Sequence, residues 1–270
     1  MKIVSNGVHI HFTDQGSRSP ALVFLHYWGG SSATWDDVVS ALPDQHRLVR
    51  PDLRGWGASQ ELQAPPTEVS YRLDDYAEDV MAIIESLELQ SFVLVGHSMG
   101  GKIAQLMASR SPLGLAGLVL VAPAPPGPLQ LPPEALTSMA AAYESATSVG
   151  LAIDHMLTAK PLSEKHRQQV IRDSLKGLPA AKAAWPLHAS LEDITDKLAL
   201  IDIPVLVIAG ELDKVDSVTT LTNELLGRIP QATLKVLGRT GHLAPLESPS
   251  EIATLMTEFI TQLPAQNGSI

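Results

Sequence analysis

Short apolar runs recur along the chain, and turn-forming or charged residues separate them. Runs of this length are typical of strands that are buried on both faces of a sheet. The predicted strands are Ala21–Leu25, Arg47–Arg50, Phe92–Val95, Gly117–Ala122, Val205–Ala209 and Thr233–Leu237. The first segments, Lys2–Val4 and Val8–Phe12, instead alternate in polarity around a Ser-Asn-Gly turn signal, which predicts an antiparallel hairpin.

Helix-like stretches lie between most of the apolar runs. Leu73–Leu87 carries apolar residues near a 3.6-residue spacing and acidic residues on its other face. The other predicted helices are Gly101–Arg110, Thr219–Leu226 and Glu251–Leu263. Strands that alternate with helices predict βα units and a mostly parallel sheet, so the expected fold class is α/β.

This alternation stops between residues 124 and 197, where helix formers are frequent and no strand pattern occurs. Six prolines between positions 123 and 133 indicate a connector that leads into this region. We therefore expect a core formed by residues 1–123 and 198–270 and a helical cap formed by residues 124–197. A cap inserted there is expected to cover the edge of the sheet where ligands bind.

Composition excludes some sites and disfavours some partners. Without cysteine, the chain can form no disulfide, thiolate nucleophile or zinc–sulfur site. The net charge of −10 predicts repulsion from nucleic acid and anionic lipid. Because the sequence has neither a long apolar span nor a secretory signal pattern, we expect a cytoplasmic protein. No pattern indicates a metal or a cofactor, and the oligomeric state is not defined.

The motif GHSMG at residues 96–100 carries the clearest chemical signal. It follows a predicted strand and precedes a predicted helix, which is the strand–turn–helix context of a nucleophile elbow. Ser98 at the centre of such a turn projects its hydroxyl away from the backbone. Gly96 and Gly100 suit this turn because the strand and the helix approach each other too closely for a Cβ atom. Ser98 is therefore the predicted nucleophile.

A serine nucleophile needs a base and a group that orients the base. His242 follows the predicted strand Thr233–Leu237, and Asp213 follows the predicted strand Val205–Ala209. The chain order Ser98, Asp213, His242 is that of the nucleophile-elbow fold. Asp213 is the preferred acid, with Asp216 and Glu211 on the same loop as alternatives.

Five ordered motifs, LHYWGG, PDLRGWGAS, VGHSMGG, AGELD and TGHLAPLESP, resemble the α/β-hydrolase fold family over essentially the full chain. In particular, the chain resembles the small serine esterases, enol-lactonases and cofactor-free haloperoxidases or perhydrolases of that family. The resemblance implies an eight-stranded, mostly parallel sheet with strand 2 antiparallel, and a helical cap after strand 6. It also implies an oxyanion hole formed by the backbone N–H groups of Trp28 and Met99. Tyr27 departs from the family, which usually has glycine there.

The resemblance and the motifs together predict a serine hydrolase that cleaves esters of small, mainly apolar substrates. A lactonase, a carbon–carbon hydrolase, a perhydrolase or haloperoxidase, and a non-catalytic small-molecule receptor stay as alternatives, because each can use the same scaffold. The residues expected to contact substrate are Tyr27, His97, Met139, Trp185 and Leu243.

Overall fold

A computed structural model describes residues 1–43, 46–63 and 69–264, and a central β-sheet organises these residues. The predicted core range therefore extends, at residues 265–270, beyond the described part. The strands are β1 Lys2–Ser5, β2 Val8–Gln15, β3 Ala21–Leu25, β4 Leu48–Pro51, β5 Gln60–Glu61, β6 Phe92–His97, β7 Leu115–Val121, β8 Val205–Gly210 and β9 Ala232–Leu237.

Eight of these strands form a continuous sheet in the order β1-β2-β4-β3-β6-β7-β8-β9, and the two-residue β5 pairs with β2. β2 is antiparallel to both β1 and β4, whereas all pairs from β4 to β9 are parallel. This arrangement confirms the α/β-hydrolase fold that the motifs predicted. Parallel register brings the carboxyl ends of β6, β8 and β9 to the same edge of the sheet.

The central strands are apolar on both faces because helices cover both sides of the sheet. Every residue of β3, β6 and β8 is buried. Successive side chains of β3 enter different clusters: Val23 and Leu25 belong to one, and Leu22 and Phe24 belong to the other. This explains why these strands appear in the sequence as continuous apolar runs rather than as alternating ones.

The helices of the core are α1 Asp36–Ala41, α2 Leu73–Ser86, α3 Met99–Ser109, α8 Val218–Leu221, α9 Ala244–Glu247 and α10 Pro249–Thr261. α2 and α3 pack into the apolar cluster on one face of the sheet, and α1 and α10 pack into the cluster on the other. The helix predicted over Thr219–Leu226 is instead the single turn α8 followed by a π-helical turn, Thr222–Leu226. Two threonines at its start hydrogen-bond locally, which weakens a regular α-helix.

Between β7 and β8 the chain forms four α-helices, α4 Pro133–Ala140, α5 Ala146–Ala152, α6 Glu164–Lys176 and α7 Pro179–Leu187. Short 3-10 or π segments separate some of them. Buried polar contacts attach this region to the core: Lys102 Nζ donates to the carbonyl oxygens of Gly127 and Ser190 at 2.8 and 3.0 Å. The domain boundaries at 123/124 and 197/198 stay a prediction.

Candidate active site

Ser98 lies in the sharp turn between β6 and α3. Its backbone has φ 52° and ψ −115°, a conformation that residues with a side chain rarely adopt. A Cβ atom on Gly96 would lie 2.4 Å from the Gly100 carbonyl oxygen, and one on Gly100 would lie 2.5 Å from the Leu25 carbonyl oxygen. These contacts leave room for glycine alone, so close packing of strand and helix defines the position of Ser98.

His242 and Asp213 extend from Ser98 as a hydrogen-bond chain. His242 Nε2 lies 2.9 Å from Ser98 Oγ, and His242 Nδ1 lies 2.9 Å from Asp213 Oδ2. Asp213 follows β8 and His242 follows β9. The parallel register of the sheet therefore brings together three residues that are far apart in sequence. All three side chains are buried.

The carboxylates around His242 raise its pKa above the usual 6.5. Burial acts in the opposite direction, but the negative charges of Asp213 and Asp216 outweigh it. Burial likewise acts to raise the pKa of Asp213, yet the net pKa is lowered. The charge of His242 and hydrogen bonds from the backbone N–H groups of Val215 and Asp216 stabilise the ionised carboxylate. An ionised Asp213 thus increases the affinity of the imidazole for a proton.

The two alternative acids on the loop after β8 do not hydrogen-bond to His242. Asp216 Oδ2 lies 4.0 Å from His242 Nδ1, beyond hydrogen-bonding distance. Glu211 accepts a hydrogen bond of 2.8 Å from the Arg239 backbone N–H and points to another part of the surface. The acid in direct contact with the histidine is therefore Asp213.

His97 lies behind His242 and outside the cavity wall, which differs from the expectation that it contacts substrate. Its Nε2 donates to the His242 carbonyl oxygen at 2.8 Å. Burial lowers the pKa of His97 to about 3, and the neighbouring His242 contributes in the same direction. His97 is therefore a neutral imidazole that holds the His242 backbone. Its position at the end of β6, one residue before Ser98, explains this contact.

Leu243 also differs from its expected role, because it is fully buried in the core and does not line the cavity. Its backbone N–H donates to the Leu157 carbonyl oxygen at 2.9 Å. Glu247 lies in the TGHLAPLESP motif, although the motif assigned it no role, and it accepts hydrogen bonds from the backbone N–H groups of Gly241 and Ala159 at 3.1 and 3.0 Å. These contacts fasten the His242 loop to the segment between α5 and α6.

Hydrogen bonds hold both the side chain and the backbone of Trp28. Its indole Nε1 donates to the Lys182 carbonyl oxygen at 3.1 Å, and its own carbonyl oxygen accepts from the Tyr143 hydroxyl at 2.9 Å. The rings of Trp28 and Tyr143 stack with centroids 4.1 Å apart. Among the described residues, no acceptor is bonded to the backbone N–H of Trp28 or of Met99. Both amides are thus available to a ligand, and their role as an oxyanion hole stays a prediction.

Tyr27 occupies space that is left open because Gly30 has no side chain. Its ring lies 5.2 Å from the His97 ring, centroid to centroid, and a Cβ atom on Gly30 would come within 2.7 Å of it. Its side chain interacts with Ser174 of α6, whose hydroxyl donates to the Gly29 carbonyl oxygen at 3.1 Å, and burial raises the pKa of Tyr27 well above 10. A neutral Tyr27 therefore connects the loop after β3 to the helices between β7 and β8.

A cavity of about 690 Å³ opens above Ser98 and His242. Tyr27, Met139 and Trp185 line it, and their contact with a substrate stays a prediction. The remaining wall is mainly apolar and comes largely from the region between β7 and β8, with residues that include Pro128, Leu129, Leu131, Ala135, Ala142, Tyr143, Met156 and Leu157. Lys102 and Asp216 are buried polar exceptions in this wall.

No group of three or more histidine, aspartate or glutamate side chains in the described ranges could hold a metal ion. Nor does any helix there combine the length and the apolar character that crossing a bilayer requires.

A model of the alpha/beta hydrolase fold family matches residues 20–249, which span the hydrogen-bond chain and the cavity. The chain belongs to the alpha/beta hydrolase fold family. The match confirms the family resemblance of the five motifs and agrees with the observed sheet.

Members of the family that resemble this chain carry different activity names. The chain is 30% identical to the bifunctional esterase/perhydrolase DCH of Acinetobacter calcoaceticus, with 78% of this chain and 80% of that protein covered. It is 27% identical to the 2-hydroxymuconate semialdehyde hydrolase of Pseudomonas sp. (strain CF600), with coverages of 98% and 94%. The crystal structure of bromoperoxidase from Bacillus anthracis matches with a TM-score of 0.85 at 20% identity. The match covers 97% of this chain and 100% of that chain.

The packing of the Ser98 turn can be tested by adding one methyl group. We expect Gly100→Ala to lower the free energy of unfolding by about 1–3 kcal/mol, because the new Cβ atom meets backbone that cannot easily move. Gly227→Ala is the control, since its Cβ atom would lie 3.9 Å from its nearest neighbour. Urea unfolding followed by circular dichroism measures both variants, and equal losses would contradict the close approach at Gly100.

Proposed function

We propose that this protein is a serine hydrolase that cleaves carboxylic esters of small, mainly apolar molecules through an acyl-enzyme. One observation carries the proposal: the hydrogen-bond chain from Asp213 through His242 ends at Ser98 in the wall of a mainly apolar cavity. This arrangement couples a serine hydroxyl to a base at a place where an ester can bind.

In the proposed reaction, Ser98 Oγ attacks the ester carbonyl carbon while His242 Nε2 takes the hydroxyl proton. Asp213 stabilises the imidazolium that forms. The N–H groups of Trp28 and Met99 donate to the oxyanion of the tetrahedral intermediate. His242 then protonates the leaving alcohol, and a water molecule activated by the same histidine hydrolyses the acyl-enzyme.

The chemistry of the cavity supports the substrate class. Its volume of about 690 Å³ and its many aliphatic and aromatic lining residues suit a compact apolar acyl or alcohol group. The family relatives include a protein named as an esterase/perhydrolase, which agrees with an acyl-enzyme on serine. Lactone, carbon–carbon and peroxide reactions would start from the same three residues, so the substrate has to be determined by assay.

The nucleophile assignment predicts that Ser98→Ala loses hydrolysis of short-chain p-nitrophenyl esters by about 10⁴-fold or more. Ser109→Ala is the matched control, because Ser109 is a buried serine on α3 whose hydroxyl bonds only to its own helix at Leu106. The substrate panel also includes lactones, diketones as substrates for carbon–carbon bond cleavage, and hydrogen peroxide as the acceptor of the acyl group.

Comparable kcat/KM values for Ser98→Ala and wild type would overturn the proposal. Tight binding of panel compounds to both proteins without turnover would instead favour a small-molecule receptor.

The carboxylates near His242 predict the pH dependence of this activity. His242 must be neutral to accept the proton from Ser98, and its pKa lies above 6.5 in the folded protein. We therefore expect kcat/KM to fall as the pH decreases through a value above 6.5. Asp216→Asn removes one of the charges that raise this pKa, so the acid limb should move to lower pH.

A pH–rate profile from pH 5 to pH 9 measures both effects. Glu224→Gln serves as the control, because Glu224 lies on the same cavity wall but pairs with Arg228. An acid limb that is at the same pH in Asp216→Asn and in wild type would contradict this electrostatic account.

A further inference from the structure

Asp216 is a buried acid that the proposed reaction does not use. Asp216 is only 5% exposed to solvent, and it lines the same cavity as Ser98 and His242. Among the described residues, none donates a hydrogen bond to either Asp216 carboxylate oxygen. His242 Nδ1 lies 4.0 Å away, but its hydrogen-bonding direction is taken by Asp213 at 2.9 Å. Asp216 therefore presents an unused acceptor to the cavity.

The loop geometry holds Asp216 in this orientation. The backbone N–H groups of Val215 and Asp216 both donate to Asp213 Oδ1, at 2.8 and 3.1 Å. The turn that positions Asp213 against the histidine thus also places the Asp216 side chain in the cavity wall. Because two hydrogen bonds to a buried carboxylate fix this turn, the backbone at Asp216 cannot shift without disturbing Asp213.

A largely buried carboxylate that no protein group donates to is costly, because it has lost most of its hydration and gained no partner. Burial raises the pKa of Asp216 to about 7, and the negative charge of Asp213 contributes in the same direction. The positive charges of His242 and Lys102 oppose this effect without cancelling it. A hydrogen-bond donor from a bound molecule would relieve this cost.

We propose that Asp216 is a specificity residue that accepts a hydrogen bond from a hydroxyl group of the substrate. The inference rests on the proposed ester hydrolase and narrows its substrates to hydroxylated esters. The hydroxyl lies at the wall formed by the loop after β8, while the apolar part of the ester packs against apolar lining residues, such as Leu129, Ala135 and Met139.

A hydroxyl fits this position better than an ammonium group does. His242 becomes cationic when it takes the proton from Ser98, so a substrate cation beside it would raise the barrier to reaction. The cavity wall also contains the buried Lys102; burial lowers its pKa to about 8, and its protonated form would repel a second cation. A neutral hydroxyl supplies the donor that Asp216 requires and adds no charge.

The experiment compares kcat/KM at pH 8 for matched p-nitrophenyl esters. Each pair has the same carbon chain with and without one hydroxyl, placed at successive carbons from the carbonyl, and a third series carries an ammonium group at those carbons. We expect at least one hydroxy ester to exceed its unsubstituted partner by about tenfold, the gain typical of a hydrogen bond to a charged group.

Asp216→Leu removes the acceptor at similar volume and should abolish this preference. Taking the ratio within each variant cancels any change that the substitution causes in the common chemistry at His242. Glu224→Gln removes a charge from the same wall without removing an unpaired acceptor, so its ratio should match that of wild type. Asp216→Asn, which keeps the side-chain shape, provides a second variant whose preference should be weakened.

Hydroxy-to-unsubstituted ratios that are the same in wild type, Asp216→Leu and Asp216→Asn would overturn the inference, and so would a stronger preference for the ammonium series. In either case, unsubstituted esters that are hydrolysed in a Ser98-dependent manner would leave the proposed function standing. If no ester of any series is hydrolysed, the proposed function itself fails.

Discussion

The hydrogen-bond chain from Asp213 through His242 to Ser98 depends on the parallel register of β6, β8 and β9. Each residue lies just beyond the carboxyl end of its strand, so the sheet brings Ser98 next to His242, which is 144 positions away in sequence. The turn at Ser98 sets the geometry at one end of the chain, because Gly96 and Gly100 let strand and helix approach closely. At the other end, Asp213 is fixed by backbone N–H groups of its own loop.

A second set of contacts positions the loops around this chain. His97 holds the carbonyl of His242, and Glu247 holds the N–H before it. Tyr27 and Trp28 connect the loop after β3 to Ser174 and Tyr143 in the region between β7 and β8. That region supplies most of the cavity wall. Substitutions in it therefore affect both the shape of the cavity and the placement of the backbone N–H group at Trp28.

Local patterns predicted most of the fold and the three linked residues. The motif GHSMG predicted a strand before it and a helix after it. The apolar runs predicted that Asp213 and His242 lie just after the ends of strands. Contacts that join distant segments carried no such signal. His97 and Leu243 were expected to contact substrate because they are next to Ser98 and His242 in sequence. In the structure, side chains alternate along β6, so His97 faces away from the cavity. Leu243 also faces away from it, because its loop is buried. That Asp216 is buried without a hydrogen-bond donor likewise depends on how distant segments pack, which local patterns do not show.

Covalent labelling tests most sharply whether Ser98 is a nucleophile activated by His242 and Asp213. The protein is incubated with diethyl p-nitrophenyl phosphate, which phosphorylates activated serines, and is then analysed by intact-mass and peptide mass spectrometry. We expect one diethylphosphoryl group per chain, on the peptide that contains Ser98, and slow labelling in His242→Ala. Absence of an adduct, or an adduct on another residue at the wild-type rate, would contradict this role of Ser98.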